Sequence, residues 1–131
     1  MGFGVSWERL TATLAVIPTP WIAKAAEQLY SADIRTVDTF YSTMVNWSNG
    51  KRLVIKVVSS LDQAVQIQLI GNTVNAVALA TDINGPLACV ANGNISVGPA
   101  WDDWHPYIGV EITTPVAPTT GTLTITATVQ E

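Results

Sequence analysis

Thr122–Gln130 reads TLTITATVQ. Leu123, Ile125, Ala127 and Val129 share one parity, and Thr124, Thr126 and Thr128 share the other. Successive side chains of an extended chain point to opposite faces, so this period of two describes a strand with one apolar face and one wet face. Two further stretches repeat the pattern. In YIGVEITT, Ile108, Val110 and Ile112 alternate with Gly109, Glu111 and Thr113. In AVQIQLIG, Val65, Ile67 and Leu69 alternate with Gln66 and Gln68.

Working outward, TVDTFYSTMVNW and RLVIKVVSS are rich in β-branched and aromatic residues and read as strands on either side of Asn49-Gly50. That dipeptide predicts a type I′ hairpin turn, which needs positive φ at both central positions. LDQ at Leu61–Gln63 predicts a second tight turn. NAVALAT predicts another strand, and Asn84-Gly85-Pro86 a further turn. ACVA and NISVG are short candidate strands. Many short strands at close intervals predict an all-β antiparallel sandwich or jelly-roll-like domain over residues 36–131.

Residues 1–35 read differently, as an N-terminal arm. RLTATLAVI alternates Leu10, Ala12, Leu14 and Val16 with Thr11 and Thr13, a strand pattern. TPWIAKAAEQLY predicts one short amphipathic helix. Thr19 would be its N-cap and Pro20 its first residue, with Ile22, Ala25, Ala26 and Leu29 on one face. Whether the arm packs on its own sandwich or on a neighbour is open at this level.

Composition narrows the function. With 131 residues, 48% hydrophobic and 12% charged, the chain can bury a core and is far from a disordered composition. Net charge is −4 and the six basic residues are scattered, so no basic stripe exists to engage phosphates and nucleic acid is not an expected partner. No stretch is apolar enough to span a bilayer as a helix, and no membrane partner is expected. The start MGFGVSWERL lacks the basic-then-apolar order of a secretory signal. The single cysteine, Cys89, lies in apolar LACVA and reads as a small buried hydrophobe.

AWDDWHPY, Ala100–Tyr107, gathers two carboxylates, the only histidine and three large aromatics. Zinc needs three or four convergent ligands, and one histidine with one cysteine does not supply them. Asp102 and Asp103 are adjacent, so on an extended chain they point apart and cannot converge as an acid–base pair. No GxSxG elbow provides a nucleophile for His105. No catalytic role, cofactor or metal is therefore expected. Trp101 and Trp104 can close one end of the core. Alternatively, Trp101, Trp104 and Tyr107 can form an interaction surface, since rigid aromatics give contact area at low entropic cost. Trp7 and Trp21 in the arm are further candidate anchors.

SSLDQAVQIQLIGN, WHPYIGVEITT and APTTGTLTITATV together resemble a pattern in small structural proteins of tailed phages. The matching residues are Leu61, Asp62, Gln63, Trp104, Pro106, Tyr107, Ala117, Pro118, Thr119 and Gly121, spread over residues 36–129. The resemblance implies a β-sandwich in which an Ala-Pro-Thr-x-Gly hairpin leads to the last strand. It also implies a non-enzymatic virion role in capsid decoration, cementing or another particle-surface assembly. Expected partners are then the chain itself, as a homo-oligomer, and a major capsid protein, after synthesis in the host cytoplasm. The rival expectation is a carbohydrate-binding module whose loop aromatics stack on a glycan.

Overall fold

A computed structural model describes residues 22–131. Nine strands follow in order: β1 (Glu27–Ala32), β2 (Thr39–Tyr41), β3 (Val45–Asn46), β4 (Arg52–Ser59), β5 (Val65–Asn72), β6 (Thr81–Cys89), β7 (Asn94–Val97), β8 (Tyr107–Thr113) and β9 (Leu123–Gln130). They form two antiparallel sheets, ordered β1-β9-β4-β7 and β2-β8-β5-β6, with β3 also on β8. The all-β antiparallel sandwich is the fold the alternations predict.

The pairing has a simple origin. β1 pairs β9, β2 and β3 pair β8, β4 pairs β7, and β5 pairs β6. The chain is thus one long antiparallel ribbon whose tip is the β5–β6 hairpin. Rolling that ribbon brings β9 beside β4 and β8 beside β5, which is jelly-roll topology. The β4–β9 ladder runs unbroken from Arg52↔Gln130 to Ser59↔Leu123. The β5–β8 ladder runs from Gln66↔Thr113 to Asn72↔Tyr107. Ile55, Val57, Leu123 and Ile125 of one sheet face Val65, Ile67, Ile108, Val110 and Ile112 of the other, all buried. This is the core that the period of two encodes.

The rolled ribbon corrects several local expectations. The helix over Thr19–Tyr30 is not formed in its described part. Ile22 and Lys24 donate backbone bonds to Glu131 and Val129, and Glu27–Ala32 is an edge strand on β9. Ile22, Ala25 and Ala26, expected to be covered, are exposed, and only Leu29 is buried. Pairing along the flank of β9 outweighs a few tenths of a kcal/mol per residue of helix propensity, roughly the scale of that preference. Asn49-Gly50 is not a hairpin: β3 and β4 lie in different sheets, and neither residue has positive φ. The turn closes instead through Gly50 N–H donating to the Trp47 carbonyl at 3.2 Å. The Ala-Pro-Thr-x-Gly stretch likewise carries the chain from one sheet to the other. NAVALAT is mostly the loop of the β5–β6 hairpin, and Asn84-Gly85-Pro86 is a bulge inside β6.

The two flanks of the sandwich differ. On the β1/β2 flank, a bulge turns the Leu29 carbonyl out of its ladder, and Thr43 donates to it from both backbone N–H (3.0 Å) and Oγ1 (3.1 Å). Residues 42–44, which interrupt β2 and β3, therefore bind the two sheets together. Ser42 repairs the interruption, since its Oγ accepts from Val110 N–H at 2.9 Å. On the opposite flank, β6 and β7 are both edge strands with no bridge between them among the described residues. The β6 bulge is held from within: Gln68 Nε2 lies 2.9 Å from the Ile83 carbonyl and 2.7 Å from that of Asn84.

Candidate interaction site

The Gly98–Pro106 connection crosses from β7 to β8 at one end of the sandwich. Trp101–Asp103 form a single 3-10 turn with no buried residue. Trp101 is 83% exposed and lines a depression of about 510 Å³ with Lys51, Arg52, Leu53 and Pro99. Trp104 is 43% exposed, and its Nε1 donates to the Trp47 carbonyl at 2.9 Å. His105 Nδ1 lies 2.9 Å from the Asp103 carbonyl. The His105 ring packs over Gly71, where a Cβ would fall 2.6 Å from it. Tyr107 opens β8, half-buried, in register with Asn46 and Asn72.

The loop is therefore divided. Trp104 and Tyr107 are anchored on Asn46–Trp47, whereas Trp101 stands over the start of β4. The histidine, rather than either tryptophan of the loop, covers Gly71. Trp47 is the large aromatic of the core at 1% exposure; its N–H donates to the Pro106 carbonyl at 2.7 Å. Its indole Nε1 is buried without a partner among the described residues. Asp102 and Asp103 sit in a 3-10 turn, where neighbours project about 120° apart, so they do not converge. Among the described residues no three of His, Cys, Asp and Glu are grouped to hold a metal ion. Cys89 is buried, and burial pushes its thiol pKa up, which disfavours the reactive thiolate. Trp7 and Trp21 lie outside the described residues, as does the Arg9–Ile17 strand pattern.

A second surface has no local mark in the sequence. Between the edges of β6 and β7 an apolar cleft of about 380 Å³ opens onto the core. Ile67 and Leu69 form its floor, and Ile83, Leu87 and Val97 its walls, together with the β6 bulge. Leu87 pairs with buried Ile67 and so faces inward, yet it is 45% exposed because no described residue covers it. Only the meeting of two edges from opposite sheets creates this cleft.

Compared with known proteins, the chain matches no family model and no curated sequence.

Proposed function

We propose that the protein is a non-enzymatic structural subunit of a phage or virus particle. It would associate with copies of itself and with a major capsid protein as a decoration or cement component. The observation that supports this reading is the β6/β7 flank, which no described residue covers. Two strand edges and an apolar cleft at the same place form a surface suited to accepting a strand from another chain. The jelly roll itself is shared by capsid proteins and lectins, so it adds only analogy. The low basic content favours a protein partner over nucleic acid. The test is binding of the purified protein to particles of the encoding virus assembled without it. Saturable co-sedimentation at a fixed ratio to capsid protein supports the reading; no binding at micromolar protein overturns it.

Carbohydrate binding is the second reading, carried by Trp101. Its exposed ring stands beside Lys51 and offers a stacking face next to a cation, suited to an acidic glycan. Glycan-array binding lost in Trp101→Ala would favour it over the particle role. An array with no binder would remove it.

A further inference from the structure

We infer that copies of the chain stack through their two sheet faces. The outer face of the β1-β9-β4-β7 sheet of one copy packs on the outer face of the β2-β8-β5-β6 sheet of the next, and Lys56 of the first meets Glu111 of the second. The inference concerns contact between copies in solution and does not rest on the particle reading.

The two faces carry opposite charge. On β4, the residues of parity opposite to buried Leu53, Ile55 and Val57 point outward: Arg52, Val54, Lys56 and Val58. Thr124, Thr126 and Thr128 of β9 flank them on one side, and Asn94 and Ser96 of β7 on the other. On β1, Gln28 and Ser31 stand opposite Thr126 and Thr124, so the strands of this face bring no carboxylate outward. On the other sheet, Tyr41, Glu111 and Gln68 form one outward row across β2, β8 and β5. Asp82 of β6 lies across from Ile70 on the same face, and no lysine or arginine occurs in any strand of this sheet. Lys56 and Glu111 each sit near the middle of an interior strand of their sheet. Neither side chain has an ion-pair or hydrogen-bond partner among the described residues.

Charge complementarity and the fold together select a second copy. The two faces lie on opposite sides of the sandwich, with about 10 Å of packed core between the sheets, so one chain cannot bring its own pair together. Like faces repel, because they set lysine toward lysine or glutamate toward glutamate. The contact is therefore heterologous and repeats head to tail. Exposed Val54 and Val58 beside Lys56, and exposed Tyr41 beside Glu111, add apolar area around the charge pair. An eight-residue strand is about 27 Å long and four strands span about 19 Å, so each face offers at most about 500 Å². The two faces together reach the lower end of specific interfaces, about 1,000 Å². Association is accordingly weak in dilute protein, grows with concentration, and falls as salt screens the charges.

The test uses full-length chains and sedimentation velocity at low and high salt. Wild type is expected to self-associate as its concentration rises toward millimolar, and less so in high salt. Lys56→Glu alone and Glu111→Lys alone are each expected to be monomeric, because each sets like charges across the contact. The double variant Lys56→Glu/Glu111→Lys is expected to associate again, since the pair is restored with its signs exchanged. An equimolar mixture of the two single variants is expected to do the same. A wild type that stays monomeric up to millimolar protein overturns the inference. So does a single variant that associates as wild type does, or a double variant no better than the singles. Far-UV circular dichroism checks the fold of each chain. If a charge reversal unfolds the protein, Lys56→Gln and Glu111→Gln take its place, and undiminished association in both overturns the inference. Particle binding measured on the same variants reports separately on the structural role.

Discussion

The indole Nε1 of Trp104 donates to the backbone carbonyl of Trp47 at 2.9 Å. This bond ties the β7–β8 loop to the turn that carries the chain from β3 to β4. The returning bond, Trp47 N–H to the Pro106 carbonyl at 2.7 Å, makes the tie double. One face of the aromatic loop is thereby fixed, while Trp101 remains open. Trp104→Phe keeps an aromatic ring, smaller than the indole, but loses the donor. It is expected to cost about 1 kcal/mol, the net value of one such bond. Urea unfolding should show a lower midpoint with an unchanged slope.

Ser42 stands in for a strand where β2 and β3 are interrupted. Its Oγ is the acceptor for Val110 N–H, a buried group on the central strand of its sheet. Ser42→Ala leaves that N–H without an acceptor, and the expected loss is about 1–3 kcal/mol. Hydrogen exchange at Val110 should speed up in the variant more than at Ile112. Equal protection at the two amides would mean that the chain repairs the break another way.

Gly109 is a glycine inside a central strand, where a side chain would ordinarily strengthen the sheet. Met44 explains it. A Cβ at position 109 would fall 2.4 Å from the Met44 sulfur. Gly109→Ala should therefore destabilise the fold by about 1–3 kcal/mol through overpacking. Combining it with Met44→Ala should recover part of the loss. A double-mutant cycle with no coupling would remove this account.

Asp62 titration should add to the acid sensitivity of the fold. Its carboxylate accepts from the Thr119 hydroxyl and from the Thr119 N–H at 2.8 Å, with Thr120 N–H farther away at 3.4 Å. The Thr119 hydroxyl first, and then the Thr119 N–H, hold its pKa below the usual carboxylate value. A group whose folded pKa is lowered contributes stability above its unfolded pKa, about 3.9, and loses it as pH falls through the folded value. The stability gap between wild type and Asp62→Asn should be constant from neutral pH down to about pH 5 and shrink below pH 4. Urea midpoints measured from pH 7 to pH 3 check it, and a gap independent of pH would exclude charge as the cause.

Local chemistry by itself determined β4, β8 and β9 and the buried face of each, but on β5 the face read as wet is also buried at Gln68 and Ile70. Ile108, Val110 and Ile112, like Leu123, Ile125 and Val129, lie inward as their alternation requires, because the side-chain period of a strand is a property of the backbone. Gly121 takes a φ of +94°, one that a residue with a Cβ resists. Tertiary structure alone decided which strands meet. Asn49-Gly50 and Pro118–Gly121 reverse the chain, but the residues in a turn carry no record of whether the next strand returns to the same sheet. That depends on the rolled ribbon, which pairs Glu27 with Ala127 and Arg52 with Gln130 across long sequence separations. The same nonlocal pairing turned Glu27–Tyr30 from a helical pattern into an edge strand. It also left β6 and β7 as neighbouring edges, so Ile67 and Leu87 line a cleft that no short stretch of sequence encodes.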